Sequence, residues 1–186
     1  MKKTCFIIGN GPSHNRAPMD LPEDVGTFGM NYAGFVPTYY VCVDQDIIAH
    51  HADEIRQYVA GAGIAYLSEY LCGSNTLYDY ANVQLVGKDT QSFKAEDFMS
   101  GYTAAYVCLK MAYYLGYEQV HLYGIDHSPA WEHYRPDYRI GKKTDRRCMQ
   151  IMETHYQLAA NVYARAGREI FNHSDPSRLD KIFRRV

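Results

Sequence analysis

The sequence lacks three features that mark large classes of proteins: a long hydrophobic run, a surplus of basic charge and closely spaced cysteines. The apolar run after Met1, Lys2 and Lys3 is far too short for a signal-peptide core or a membrane span, so we expect no membrane span and a cytoplasmic protein. A formal net charge of −2 argues against a nucleic-acid partner, because neutralising phosphates needs a basic excess. The five cysteines are odd in number and form no C-x-x-C pair, which predicts reduced, mostly buried thiols rather than disulfides or zinc.

What is present favours one α/β domain spanning residues 1–186. A chain of 186 residues that is 47% hydrophobic can bury one sizeable core and leaves no room for a second domain of ordinary size. No internal repeat or low-complexity tract interrupts it. The composition does not decide the oligomeric state, so a homo-oligomer stays open.

The beginning of the chain carries the clearest pattern. An apolar run at 4–8 leads directly into Gly9, Asn10, Gly11 and, after a proline, Ser13, which predicts a buried strand that feeds a tight turn. Glycines let the backbone approach a ligand closely, and the polar residues add donors beside backbone N–H groups, so the turn is a candidate anion cradle. It is neither the G-x-G-x-x-G fingerprint nor a Walker loop, and a plain strand-to-loop turn without a ligand is the alternative.

The rest of the chain alternates strands with helices. Further strands are predicted at 26–30, 39–43, 64–67, 83–86, 119–123 and 168–171, helices at 47–60, 100–115 and 145–166, and a short closing helix whose basic residues are solvated. This order predicts a Rossmann-like, three-layer α/β fold with a mainly parallel central sheet. The aperiodic, aromatic stretch 128–144 is too long for an ordinary connection and is a candidate lid.

Polar residues follow most of the predicted strands. If the strands are parallel, these residues meet at one rim of the sheet, which is where α/β proteins bind ligands. Ser100, at the start of a predicted helix, adds a second anion-binding element. The residues that follow strands are Asn10, Ser13, Asn31, Asp44, Asp46, Asp126, His127 and 172–174.

Several of these motifs resemble a known family. The turn 9–13, Asn31, the pair Ser100 and Gly101 opening an alanine-rich helix, and the run 115–126 ending in Gly-Ile-Asp are similar to the bacterial sialyltransferases of the Campylobacter type. The wider family includes proteins like 6-hydroxymethylpterin diphosphokinase. The resemblance covers about two thirds of the chain and implies a Rossmann-like nucleotide-sugar fold. It also implies that the nucleotide is held by Gly9, Asn10, Gly11, Ser13, Asn31, Ser100, Gly101 and Asp126.

The resemblance also carries expectations about catalysis. It implies a CMP-activated sugar as donor, no metal requirement, a histidine base and two tyrosines near the phosphate. Where the family has a Tyr-Ile-Gly-His run, residues 139–142 read Arg-Ile-Gly-Lys, and Lys142 is a poor base without a large downward shift of its pKa. His127 takes the position of a phosphate-contacting tyrosine, so we assign it to the leaving group. His133, inside the lid, is then the candidate base, and a solvated loop residue is the alternative.

Asp44 and Asp46 form an Asp-x-Asp pair after a strand. Carboxylate oxygens suit Mg²⁺ or Mn²⁺, and such a pair can hold a divalent cation against a diphosphate. The alternative is that Asp46 caps the following helix.

Three functions therefore compete. The first is glycosyl transfer from a nucleotide-activated sugar to an acceptor hydroxyl, with no required cofactor. The second is Mg²⁺-dependent pyrophosphoryl transfer to a pterin-like alcohol. The third is a non-catalytic nucleotide-binding accessory protein, bacterial or phage-encoded.

Overall fold

The fold is built on one parallel sheet. The computed structural model describes residues 2–22, 24–87, 93, 103–128, 133–135, 146–175 and 177–186. Within them the strands are β1 (Thr4–Ile8), β2 (Gly26–Met30), β3 (Tyr39–Cys42), β4 (Ile64–Ser68), β5 (Val83–Val86), β6 (Gln119–Tyr123), β7 (Glu169–Asn172) and β8 (Arg184–Arg185). They lie in the order β5-β4-β3-β2-β1-β6-β7-β8, and every pair is parallel. The predicted α/β fold with a parallel sheet is confirmed.

Helices cover the sheet from both sides. The described α-helices are α1 (Gln45–His50), α2 (Ala52–Gly61), α3 (Ala104–Tyr114) and α4 (Arg146–Arg165). The larger core packs α3 and α4 against the side chains of Ile7, Val41 and Leu122, and a second core packs α1 and α2 against β3 and β4. Strands buried on both faces read as continuous apolar runs, which is why the sequence predicted them well.

The predicted helix 47–60 is two helices that meet at His51. The His51 N–H donates to the Ile47 carbonyl and ends α1, while the His51 carbonyl accepts from Glu54 and Ile55 and begins α2. With φ −127° and ψ 23°, His51 is not helical itself. The apolar spacing continues through the break, so periodicity alone does not reveal it.

The helix expected to open at Ser100 begins at Ala104. Thr103 is its N-cap, with extended backbone and a side-chain oxygen that accepts from the Ala105 N–H at 3.3 Å. Ser100 and Gly101 lie outside the described residues. The predicted stop at Gly116 is confirmed, because that glycine takes φ +82° directly after the last turn.

The end of the chain differs from the expected solvated helix. A single 3-10 turn (Arg178–Lys181) is followed by β8, which pairs with β7 at the edge of the sheet. The arginines are engaged in ion pairs: Arg178 Nη2 lies 2.9 Å from Glu153 Oε1, and Arg185 Nη2 lies 2.7 Å from Asp175 Oδ1. Two exposed arginines have no apolar pattern that could reveal a strand.

The strand order fixes where a ligand can bind. From β1 the chain builds outward through β2 to β5, then returns and continues on the other side of β1 with β6. The strand order therefore reverses at β1, and open α/β sheets bind ligands outside the carboxyl ends of the strands at such a point. The polar residues expected at the rim follow strands that end at this edge of the sheet.

Two further expectations concern cysteines and membranes. All five cysteines are free, with Cys5, Cys42 and Cys108 buried, as predicted. Among the helices in the described part of the chain, none combines the length and apolar character needed to cross a bilayer.

Candidate functional site

A cleft of about 390 Å³ lies at the predicted rim. Its floor is formed by the ends of β1, β2, β3 and β6, and its wall by the start of α3 and one face of α4. Its volume lies in the range of small-molecule sites. The residues lining it include Asn10, Gly11, Asn31, Asp44, Thr103, Ala104, Ala105, Asp126, His127, Ser128, His133 and Tyr156. Polar residues predicted from five separate stretches therefore meet at one place.

The glycines of the first turn are required by a crossing of two loops. The Gly9 N–H donates to Tyr123 O and the Gly11 N–H to Gly124 O, both at 2.8 Å. A Cβ at Gly9 would collide with the Ile125 side chain, and a Cβ at Gly11 would collide with the carboxylate of Asp126. Gly11 has φ −72°, an ordinary value, so it is glycine for lack of space and not for its backbone conformation. The glycine-rich turn was predicted from the sequence, and the crossing of the two loops explains why glycine is needed there.

Hydrogen bonds within the protein engage most of the backbone donors of the first turn. Besides the Gly11 amide, the Ser13 N–H donates to Asp126 Oδ2 at 3.2 Å and the His14 N–H to Gly11 O at 2.9 Å. The Ser13 hydroxyl accepts from the Gly124 N–H at 2.9 Å. Ser13 is buried, and neither it nor Gly9 lines the cleft. The turn consequently presents few donors for an anion, and Gly9 and Ser13 shape the site from behind.

Three side-chain oxygens in the cleft are buried without a hydrogen-bond partner in the described structure. They are Oδ1 of Asn10, Oδ1 of Asn31 and Oδ1 of Asp126. A buried polar atom that stays unpaired costs about 1–3 kcal/mol, so native proteins rarely keep three of them together. All three are hydrogen-bond acceptors, and a ligand that brings hydroxyl or amino donors satisfies them at once.

Backbone strain marks two residues of the cleft. Asn31 has φ 49° and His127 has φ 47°, and they are the non-glycine residues of the described chain in this left-handed region. Asn31 is held there by its own backbone: its N–H donates to Val41 O at 3.2 Å, and its carbonyl accepts from the Tyr40 hydroxyl at 2.6 Å. Strain of this kind concentrates at functional sites.

Asp126 is the buried carboxylate of the cleft. It is 5% exposed, and Oδ2 accepts from the Ser13 N–H while Oδ1 has no hydrogen-bond partner in the described structure. Burial raises its pKa above the usual value for an aspartate, while the hydrogen bonds from Ser13 and the charge of Arg16 act in the opposite direction. The loop that carries it is fixed further by Ser174, whose Oγ accepts from the Ile125 N–H at 2.9 Å.

His127 lies between the cleft and α4. Its side chain is 4% exposed, with Nε2 at 3.4 Å from Glu153 Oε1 and the ring edge-on to Tyr156. Burial lowers its pKa, and the Glu153 carboxylate opposes that shift. His127 lines the cavity. Its assignment to the leaving group stays a prediction.

The start of α3 forms the opposite wall. Thr103, Ala104 and Ala105 line the cavity, and the Thr103 Oγ1 also lies 3.3 Å from the Tyr156 hydroxyl. A helix N-terminus carries partial positive charge, so this wall attracts anions. Sequence reasoning missed Thr103 and Tyr156; the threonine is a good N-cap type three residues after Ser100, and that signal was available.

Residues 133–135, from the stretch predicted to be a lid, contact the first turn. The Tyr134 N–H donates to Asn10 O at 2.8 Å, and its hydroxyl donates to Tyr32 O at 2.9 Å. Its ring stacks on His14 with 3.9 Å between centroids and 9° between planes. His133, next to it, lines the cleft and accepts the Arg135 N–H on Nδ1 at 3.0 Å. His127 and His133 therefore both line the cavity, and their catalytic roles stay predictions.

Asp44 and Asp46 do not act as a matched pair. Asp44 lines the cleft and is the N-cap of α1, with Oδ1 accepting from the Asp46 and Ile47 N–H groups at 3.0 and 3.4 Å. Asp46 is exposed on the first turn of α1 and does not line the cavity. The described residues include no cluster of three or more His, Cys, Asp or Glu side chains suited to a metal ion. The cap is Asp44 and not Asp46, and metal binding by the pair stays a prediction that this geometry does not favour.

Comparisons with known proteins support the fold. No protein-family model matches the chain, and no curated protein is similar in sequence. Among solved structures, the sialyltransferase CstII from Campylobacter jejuni, in complex with the substrate analogue CMP-3FNeuAc, is 17% identical with a TM-score of 0.58, covering 98% of this chain and 85% of CstII. The monofunctional alpha-2,3-sialyltransferase Cst-I of the same organism is 16% identical with a TM-score of 0.65, covering 98% of this chain and 80% of Cst-I. The chain thus has the Rossmann-like fold of these two sialyltransferases, as its sequence resemblance predicts.

Proposed function

We propose that the cleft binds a nucleotide-activated sugar of the CMP type and that the protein transfers the sugar to an acceptor hydroxyl. The observation that carries this proposal is that Asn10, Asn31 and Asp126, each with a buried and unpaired side-chain oxygen, line the same cleft as a helix N-terminus. The shared fold with sialyltransferases, of which CstII was solved with CMP and with CMP-3FNeuAc, supports the choice of nucleotide.

The chemistry of the two walls sets the orientation of the ligand. The acceptor oxygens of Asn10 and Asn31 match the hydroxyl groups of a ribose and the amino group of a base, so the nucleoside lies over the ends of β1 and β2. Phosphate oxygens only accept hydrogen bonds, and they suit the positive start of α3 at Thr103 to Ala105. We therefore assign the phosphate to the helix start rather than to the first turn.

The reaction follows from this orientation. The bond between the anomeric carbon and the phosphate oxygen breaks, and its electron pair stays on the phosphate. The acceptor hydroxyl oxygen bonds to the same carbon from the opposite side, with inversion, and its proton passes to a basic group. The helix start and His127 stabilise the charge that develops on the departing phosphate, and no metal takes part in these steps.

Ligand binding is tested by thermal shift and calorimetry with CMP, CDP, UDP, GDP, ATP and AMP, each with and without Mg²⁺. A ligand that binds only the folded state raises the melting temperature, increasingly so as its concentration exceeds Kd. We expect CMP to bind without Mg²⁺, and CMP-sialic acid to release CMP when an acceptor sugar is added.

Two other outcomes separate the competing functions. Preference for ATP with an absolute Mg²⁺ requirement would replace the proposal by pyrophosphoryl transfer. Binding of CMP without release of CMP from any CMP-sugar would leave a nucleotide-binding protein without transferase activity. Failure of every nucleotide to bind refutes the proposal.

A further inference from the structure

We propose that His133 enters the cleft as a hydrogen-bond donor toward the leaving phosphate, and that Tyr134 and His14 form the latch that holds it there. The inference deepens the proposed function and rests on it for the identity of the phosphate. It reverses the role that the sequence suggested for His133, that of the base.

The first step is the position of the imidazole proton. A neutral imidazole has one N–H donor and one acceptor nitrogen. The Arg135 backbone N–H donates to His133 Nδ1 at 3.0 Å, so Nδ1 holds the lone pair and Nε2 carries the proton. A general base needs its lone pair at the nitrogen that meets the substrate. With Nδ1 engaged by its own backbone, a ligand in the cleft that His133 lines can meet this ring as a donor, through Nε2.

The second step is the latch, defined as Tyr134 and His14. Tyr134 is fixed at three points: its N–H on Asn10 O at 2.8 Å, its hydroxyl on Tyr32 O at 2.9 Å, and its ring on His14. His14 is buried and is itself held by its Nδ1–H, which donates to Gly9 O at 2.8 Å. The residue directly before Tyr134 therefore inherits a fixed backbone position over the first turn.

The loop after β2 leaves room for the Tyr134 side chain of the latch at Gly34. A Cβ at Gly34 would lie 2.6 Å from the Tyr134 hydroxyl oxygen, and Gly34 takes φ +75°. The loop after β2 thus combines a conformation that favours glycine with a contact that requires it. Tyr134 thus contacts both the loop that carries Asn10 and the loop that follows Asn31, and these contacts fix the position of the neighbouring His133.

The third step concerns the proton of the acceptor hydroxyl. If Nε2 of His133 is a donor, that proton passes elsewhere, and Asp126 Oδ1 is the buried carboxylate oxygen of the cleft without a partner in the described structure. The electron pair of the broken bond remains on the phosphate, where the His133 N–H donates to it. His133 donates a hydrogen bond and Asp126 accepts the proton, and such a division of roles is common for two titratable residues of one site.

The first test is independent of turnover. Long-range ¹H–¹⁵N NMR of the protein reports which ring nitrogen carries the proton, and His133→Gln identifies the signal by its loss. We expect the Nε2–H tautomer in the free protein and a shift of the Nε2 proton on addition of CMP. An Nδ1–H tautomer overturns the inference, even if the nucleotide binds. Absence of any CMP effect on all signals counts against the proposed function, and the tautomer of the free protein still decides the protonation.

The second test compares two isosteres. The glutamine amide nitrogen reaches the position of Nε2, whereas the asparagine amide reaches only that of Nδ1. We expect His133→Asn to lower kcat by about 10²–10³, the usual loss of one transition-state donor, with CMP affinity unchanged, and His133→Gln to retain most of the rate. Equal loss in both variants, or better activity of the asparagine variant, contradicts the donor role.

The latch is tested by removing a single hydroxyl. Tyr134→Phe loses the bond to Tyr32 O, worth about 1 kcal/mol, so kcat should fall about fivefold with little change in nucleotide affinity. The matched control is Tyr78→Phe, which loses a comparable hydroxyl-to-carbonyl bond, to Ser68 O at 2.5 Å, on a residue that does not line the cleft. A kcat of the Tyr134 variant equal to that of the control refutes the latch.

Discussion

The first turn and the start of α3 both line the cleft, and they differ in the hydrogen-bonding groups that they offer to a ligand. Both were expected to bind an anion. In the first turn, the N–H groups of Gly11, Ser13 and His14 donate to the protein itself, and Asn10, which lines the cleft, has an unpaired acceptor in Oδ1. At α3, the helix start keeps its positive end toward the cavity. A glycine-rich turn after a strand therefore predicts a site, but its hydrogen-bond partners decide whether it presents donors or acceptors.

The largest effect should follow from filling the crossing behind the first turn. Gly11→Ala puts a methyl group against the Asp126 carboxylate and 2.9 Å from Gly124 O, so the two loops must separate. Overpacking of this kind costs about 1–3 kcal/mol, and CMP binding should fall because Asn10 and Asp126 move. Chemical denaturation measures the stability.

The matched control for that change is Gly87→Ala. The nearest atom to a Cβ there would be Glu69 Oε2, at 3.1 Å, which is the end of an exposed side chain and not backbone. We expect a change of less than about 0.5 kcal/mol, as for ordinary surface positions. If both alanine variants were equally stable and bound CMP equally, the crossing would not be what requires Gly11.

The second prediction concerns the acceptor side of the comparison. Asn31→Gly removes the Oδ1 acceptor and at the same time relieves the left-handed backbone, φ 49°, which glycine adopts without strain. Affinity for CMP should fall about five- to a hundredfold, the equivalent of about 1–3 kcal/mol, while the free energy of unfolding stays the same or rises. Calorimetry with cytidine should show the same loss as with CMP, because this contact is to the nucleoside. Unchanged affinity for both would remove Asn31 from the site.

Part of the fold and part of the candidate site could be predicted from the sequence. The strands of the central sheet and the convergence of Asn10, Asn31 and Asp126 were predictable, because buried parallel strands are apolar throughout and their ends meet at one edge. Those are local patterns combined with one topological rule. The identity of the hydrogen-bond partners was not predictable in this way. Ser13 and Gly124 are 111 residues apart in the chain, and nothing in either stretch says that the hydroxyl of the serine serves the other loop.

Several predicted helix and strand boundaries were wrong for a related reason. Ser100 and Thr103 are both good N-cap residues, and the described structure places the cap at Thr103 through its backbone angles and its bond to Ala105. Asp44 and Asp46 pose the same choice at α1, where the first aspartate caps the helix. β8 was missed because its two arginines are exposed. Where two residues of one type stand close together, propensity cannot choose between them.

The third prediction addresses the donor side. Thr103→Val keeps the side-chain shape but removes the oxygen that caps α3, which should lower stability by about 1 kcal/mol. Its effect on binding should be selective: affinity falls for CMP and not for cytidine, because only CMP places a phosphate at the helix start. The contrast with Asn31→Gly separates the two walls. Equal losses for CMP and cytidine in the Thr103 variant would contradict the assignment of the phosphate to α3. Ser100→Ala, tested in parallel, examines the contact first expected at that residue.

The smallest effect is expected at the acidic pair. Asn caps helices about as well as Asp, so Asp44→Asn keeps the bonds to the Asp46 and Ile47 N–H groups while it removes a charge from the cleft. Asp46→Asn is the matched control, because that side chain is exposed and outside the cavity. We expect both variants to unfold within about 0.5 kcal/mol of the parent protein, as ordinary surface changes do. Their affinity for CMP should match that of the parent, with and without Mg²⁺, since neither wall of the proposed site uses a metal. A Mg²⁺-dependent gain in nucleotide affinity in the parent protein that disappears in both variants would show that the pair binds the metal, and would shift the assignment from glycosyl toward pyrophosphoryl transfer.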